Sequence, residues 1–247
     1  MSEGDHDRAP ERAQEKEETD CRHPFHCDPK NDIILISKEG TELRASGYHL
    51  GLASLFFEGL LSLPPAENDD EVSPVGGQNE PIQLDFSHAT VSLFLDLASS
   101  HEPCLPPLEM HRAKELLALT EFTLSSEKLV SLAHEAVKDA FADHPFELLV
   151  LASDRNDVPM ARQALGRISS STLKCRMFHT SSTTLTPQDK DEFHAFLRSL
   201  NPSFRLSLLT IILTSGEVRE TRHTSLRPGL FLNDDWSSLA KKFNPSI

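Results

Sequence analysis

Four potential metal ligands lie close together near the amino end: Cys21, His23, His26 and Cys27. Thiolate sulfur and imidazole nitrogen are the ligands that Zn²⁺ commonly takes in proteins. Their spacing differs from that of a zinc finger or ribbon, and no second Cys/His cluster follows along the chain. Ligands this close on one extended segment also reach tetrahedral geometry with difficulty. We therefore expect a loop that leads into the first strand, with metal binding as the less favoured alternative.

The sequence lacks the motifs that commonly accompany catalysis. The only Gly-Gly pair, Gly76-Gly77, is not followed by the Lys-Ser or Lys-Thr of a phosphate-binding loop, and no Gly-x-Ser-x-Gly elbow occurs. His134 and Glu135 are adjacent, but a solvent-facing pair on an amphipathic helix is the simpler interpretation. We therefore predict that the protein is not an enzyme, and we expect no catalytic residues and no cofactor.

Composition and charge place the chain in the globular range. Hydrophobic residues make up 38% of the 247 positions, which is enough for a sizeable core. The net charge of −14 is concentrated, because residues 1–20 and 66–80 together carry −10 of it. We expect an acidic disordered tail over residues 1–22 and a solvated loop insertion over residues 66–80. Dense clusters of Lys and Arg are missing, which argues against a nucleic-acid partner.

Three features predict a protein of the cytoplasm or nucleus without a membrane partner. Four cysteines are too few and too scattered for a disulfide framework. The amino end is charged throughout and lacks the apolar region of a signal peptide. The longest apolar run near the carboxyl end, residues 206–214, is far shorter than the roughly 20 residues that a membrane helix needs.

Apolar patterns predict a small sheet at the start of the folded region. Residues 32–37 form a nearly continuous apolar run with β-branched side chains, as in a buried strand. A short turn and the segment 41–45 complete a hairpin. Residues 81–86 alternate apolar and polar side chains, as a half-buried strand does.

Within residues 45–65 the pattern predicts one helix, over residues 45–61, with apolar residues on two sides, and the following two prolines prevent its continuation. The core face carries Leu50, Ser54, Phe57 and Leu61. The opposite side, which we name the apolar face, carries Tyr48, Leu52 and Leu55. A helix with two apolar sides packs on its own domain with one side and on further structure or a second chain with the other. We expect Leu50, Phe57 and Leu61 in the core and the apolar face in an interface with a partner.

Beyond the third strand the pattern is almost purely helical. Ser87 is a candidate N-cap, and Pro145 and Pro159 each suit the first turn of a helix. Residues 206–214 fit either a buried strand or a helix, and Trp236 falls in a predicted last short helix. We therefore predict an α+β fold in which a small sheet is flanked by helices and followed by a mostly α-helical carboxy-terminal region.

The order of these elements resembles the opening of a BTB/POZ domain, in the version abundant in fungal proteins. The family pattern has an Asp that starts the first strand, an Ala-His pair, a Leu, a Ser four residues on and a Phe three residues later. The matching residues are Asp32, Ala45, Leu50, Ser54 and Phe57, and Leu61 continues the same face. The histidine of the pair is replaced by Ser46, so this chain keeps the Asp and lacks the His of the family's Asp–His pair.

The resemblance covers about residues 23–168 and implies an interaction module. On this basis we expect a BTB/POZ domain over residues 23–142 and a helical extension over residues 143–247. Domains of this family commonly homodimerise, so the resemblance implies a homodimer paired through the helix at residues 45–61. Some members are substrate adaptors of cullin-based ubiquitin ligases. That function is the main alternative, and its partners would be a cullin scaffold and a recruited protein.

Overall fold

The computed structural model describes residues 26–63, 81–168, 187–215, 217–218, 230–231 and 236–245. Within these ranges the chain forms ten helices and five short strands. The described residues divide into two compact units, the first made of residues 26–63, 81–103 and 122–126 and the second of the remaining ones. The predicted mixed α+β fold, with a small sheet and mainly helices, is confirmed. The predicted acidic tail and loop insertion lie outside the described residues.

A three-stranded sheet lies in the first unit, with the order β2-β1-β3. Its strands are β1 (Ile33–Ile36), β2 (Glu42–Ala45) and β3 (Ile82–Gln83). The first two form the predicted antiparallel hairpin, and Gly40 adopts in its turn a φ of 81° that favours glycine. β3 runs parallel to β1, and its pairing continues where the Leu84 N–H donates to the Ile36 carbonyl at 2.8 Å.

Three helices complete the first unit: α1 (Gly47–Ala53), α2 (Leu55–Leu61) and α3 (His88–Ser99). α3 begins at the predicted N-cap, because the Ser87 hydroxyl accepts a hydrogen bond from the Thr90 N–H. α3 packs against α1 and β2. The core between these elements contains Ile33, Leu35, Leu43, Leu50, Phe57 and Phe94.

The prediction of one continuous helix over residues 45–61 is wrong. The helix breaks at Ser54, whose φ of −153° and ψ of 127° are those of an extended strand. Residues 122–126 run beside the break, and the Leu55 N–H donates to the Leu124 carbonyl at 3.2 Å. Backbone groups that a continuous helix would pair internally therefore pair with a segment that is distant in sequence.

The core assignment of Leu61 is also wrong, because this side chain is 37% exposed. Leu61 is the last residue of α2. Leu61 lies four residues beyond Phe57 on the same side of α2, so the helical spacing between them is intact, and its exposure goes with its position at the end of the helix. The core face thus ends at Phe57.

The described part of the second unit consists of helices, their connections and two short paired strands. Its helices are α4 (Met110–Phe122), α5 (Glu127–Ala140), α6 (Pro145–Asp154), α7 (Val158–Arg167), α8 (Pro187–Ser199), α9 (Pro202–Ser215) and α10 (Trp236–Lys242). The last residue of α4, Phe122, belongs to the first unit. The strands are β4 (Glu217–Val218) and β5 (Leu230–Phe231). Pro145 and Pro159 lie in the first turns of α6 and α7, as predicted. The segment that fitted either strand or helix is helical.

α7 packs against α6 and α10 in this unit. The rings of Phe204 on α9 and Phe243, just after α10, meet edge to face with centroids 5.3 Å apart. The start of α9 is held by Asn201, whose Oδ1 accepts from the Phe204 N–H and whose own N–H donates to the Ser153 hydroxyl at 2.7 Å. None of the helices in the described part of the chain combines the length and the apolar character that crossing a bilayer requires.

Candidate interaction surface

The position of α1 is set by Asp32, a residue of the predicted motif. Its Oδ1 accepts a hydrogen bond of 2.7 Å from the Gly47 N–H, whereas Ser46, the N-cap residue, makes no side-chain cap. The carboxylate satisfies one of the unpaired amides of the helix start, and its negative charge is favourable there. A Cβ on Gly47 would lie 2.8 Å from Asp32 Oδ2. Asp32, which precedes β1, and Gly47 therefore fix the start of α1.

The two sides of α1 differ in their exposure to solvent. Leu50 is 1% exposed, whereas Tyr48 is 72% and Leu52 is 67% exposed. Leu55, the first residue of α2, is 65% exposed. All three residues of the apolar face are therefore at the surface of the first unit, while the motif residues Ala45, Leu50, Ser54 and Phe57 are buried.

Ser54 joins the two short helices through its side chain. Its hydroxyl donates to the Thr123 carbonyl oxygen and accepts from the Phe57 N–H at 3.3 Å, which caps α2. Both Ser54 and Thr123 are buried, so these hydrogen bonds replace contacts with water that folding has removed. Leu55 is thereby held at the surface directly after a rigid connection.

Two exposed apolar residues beside Leu55 were missed by the sequence interpretation. Phe122 is 54% exposed, and Leu124 is 61% exposed with a φ of 48°. The Phe122 ring contacts the rings of Phe56 and Phe86, at centroid distances of 5.5 and 5.9 Å. In the sequence this segment is simply the end of one helix and the start of the next. Its place beside the Ser54 break follows only from the tertiary structure.

A titratable group with a shifted pKa connects the hairpin turn to α3. Burial alone would raise the pKa of Glu39. Hydrogen bonds from the His88 amide, its own amide and the Ser37 hydroxyl, together with the charge of His88, instead lower its pKa below the usual value. The His88 N–H lies 2.8 Å from Glu39 Oε2. This contact links the hairpin turn to the start of α3.

Two of the four potential metal ligands, Cys21 and His23, lie outside the described residues. His26 Nε2 is 3.2 Å from Asp96 Oδ1, and Cys27 is exposed. Within the described ranges no group of three or more His, Cys, Asp or Glu side chains is arranged to hold a metal ion. The expected loop and its less favoured alternative, metal binding by this cluster, both stay predictions.

The chemistry that this surface offers is the burial of apolar side chains. Tyr48, Leu52 and Leu55 carry no charge, and two short helices hold their backbone. No family model matches the chain, and no curated protein matches it either. The function is therefore inferred from the geometry of the first unit together with the motif residues that fix it.

Proposed function

We propose that this chain is a protein–protein interaction module of the BTB/POZ type that forms homodimers through the apolar face. The observation that carries the proposal is the exposure of three large apolar side chains, Tyr48, Leu52 and Leu55, on one side of α1 and at the start of α2. Burial of such side chains away from water is the main driving force of protein association. A second copy of the same face satisfies this driving force by symmetry.

The order and pairing of the elements in the first unit support the proposed family. An antiparallel hairpin is followed by two short helices, a strand parallel to the first strand, and a further helix. Asp32 binds the start of α1, and Leu50 and Phe57 lie in the core. The residues that match the family pattern thus stabilise the fold of the first unit. The apolar face is not used in this way and is available to bind a partner.

The experiment that tests the proposal is the replacement Leu52→Glu with Leu55→Glu. Both side chains are exposed, so the variant is expected to fold, and two buried carboxylates would oppose pairing. We expect light scattering to give the mass of a dimer for the natural chain and of a monomer, 27.5 kDa, for the variant. Far-ultraviolet circular dichroism checks that the variant keeps its helices.

A matched control comes from the second unit. Leu206 and Leu213 on α9 are 65% and 68% exposed, so Leu206→Glu with Leu213→Glu adds the same charge at equally exposed leucines. This control is expected to keep the dimer mass. An unchanged mass for the Leu52→Glu/Leu55→Glu variant would sink the proposal, as would a natural chain that is monomeric at high concentration.

The adaptor function is the alternative within the same class of binding proteins. It stays a prediction, because no contact among the described residues favours a cullin scaffold over a second copy. A pull-down with a cullin scaffold separates the two functions, and the absence of a complex would count against the adaptor.

A further inference from the structure

Residues 122–126 form a rigid part of the surface beside the apolar face. Their backbone bonds to both sides of the Ser54 break: the Ser126 N–H donates to the Ala53 carbonyl at 2.8 Å, and the Leu55 N–H donates to the Leu124 carbonyl at 3.2 Å. The Thr123 hydroxyl is 2.7 Å from the Ser125 hydroxyl. This segment is therefore held in register with the residue that begins α2.

Leu124 combines an unfavourable backbone with an exposed side chain. Its φ of 48° lies in the left-handed region, which a bulky residue rarely adopts and which glycine or asparagine adopts more easily. Its side chain is 61% exposed, so the first unit gains little burial in return. Strained residues of this kind occur preferentially where a protein binds something.

Phe122 extends the same surface. It is 54% exposed, while part of its ring is supported by Phe56 at a centroid distance of 5.5 Å. A ring that is held on one side and open on the other can bury area on binding without losing much side-chain freedom. Phe122 and Leu124 are thus two exposed apolar residues of the segment whose backbone pairs with Leu55, the last residue of the apolar face.

We propose that Phe122 and Leu124 belong to the same homodimer interface as the apolar face, with Leu124 as an anchor side chain that the second copy buries. This inference rests on the proposed function. Stable interfaces bury roughly 800 Å² per partner and involve about 20–30 residues on each side, and three side chains are a small part of that. The exposed apolar residues next to Leu55 in the first unit supply the needed continuation.

The replacement Leu124→Gly separates a binding role from a structural one. Glycine relieves the left-handed backbone and removes the anchor. Measured in the monomeric Leu52→Glu/Leu55→Glu background, Leu124→Gly is therefore expected to leave the melting temperature unchanged or raise it. In the otherwise natural chain, it is expected to raise the dimer dissociation constant about tenfold or more, because anchor residues dominate interface energies. Sedimentation velocity over a dilution series measures the constant.

Leu213→Ala is the matched control, since it truncates an exposed leucine of α9, a helix of the second unit. It is expected to leave the dissociation constant unchanged. An unchanged constant for Leu124→Gly overturns the inference, and so does a lower melting temperature in the monomeric background. If Leu52→Glu/Leu55→Glu disrupts the dimer and Leu124→Gly does not, only this inference fails. If neither variant changes the mass, the proposed function fails as well.

Discussion

The two sides of the segment formed by α1 and α2 have similar apolar side chains and opposite surroundings. Leu50 and Phe57 lie at or below 1% exposure in the core of the first unit, whereas Tyr48 and Leu52 are 72% and 67% exposed. Helical spacing identifies both sides equally well. What distinguishes them is the structure around them, because α3 packs on α1 while no described element covers the apolar face. Replacing a leucine on the core side should therefore change the unfolding free energy, whereas replacing one on the apolar face should change dimerisation.

The largest expected difference in unfolding free energy is between two alanine variants, one with a leucine replaced on the core side and one with a leucine replaced on the apolar face. Leu50→Ala should cost about 2–5 kcal/mol of unfolding free energy, because a fully buried leucine leaves a cavity. Leu52→Ala, measured at a dilution where the chain is monomeric, should change it by less than about 0.5 kcal/mol. Chemical denaturation of both variants makes the comparison. Equal losses of unfolding free energy in the two variants would contradict the assignment of one side to the core and the other to the surface.

A smaller effect is expected at the residue that separates the helices. Ser54→Ala removes the cap of α2 and leaves the buried Thr123 carbonyl without its hydroxyl donor, which should cost about 1–2 kcal/mol. Ser62→Ala is the control, since Ser62 also bonds at a helix end, to the Gly59 carbonyl, but is exposed. If both replacements have the same small effect on urea denaturation, the break at Ser54 does not depend on its side chain.

The smallest effect should come from Glu39, which lies on neither side of the segment. Its pKa is lower in the folded protein, so its ionised form stabilises the fold above the pKa of the unfolded chain, and this contribution is lost as the pH falls through the folded pKa. Glu39→Gln should therefore lower the melting temperature slightly at pH 7 and not in acid, with the size limited by solvent screening. Glu102→Gln, at another exposed position, is the control. A difference that persists in acid would contradict the assigned cause.

The sequence predicts those features that depend on neighbouring residues. The hairpin, the cap at Ser87 and the proline starts of α6 and α7 are correct, because turn residues, hydroxyl caps and proline act within a few positions. The break at Ser54 was not predictable, since its hydrogen-bond partner Thr123 is 69 residues away. The place of Leu124 depends on the same long-range pairing, since its carbonyl accepts from the Leu55 N–H.

The strand-or-helix question over residues 206–214 has a different origin. Their side chains are apolar on most sides, so no period distinguishes a helix from a buried strand. The structure makes them helical, with Leu208 and Ile211 buried and Leu206 and Leu213 exposed. A helix that is apolar all round has no stripe from which its buried side can be predicted.

The most direct test of the central claim uses Tyr48, the only tyrosine in the chain. Incorporation of fluorotyrosine gives one fluorine NMR signal from the apolar face. If the apolar face forms the dimer interface, the chemical shift of this signal changes on dilution, because the dimers dissociate. In the Leu52→Glu/Leu55→Glu variant the signal keeps the chemical shift of the dilute natural chain at every concentration. A signal in the natural chain that does not depend on concentration, while light scattering gives a dimer, would show that the copies pair elsewhere.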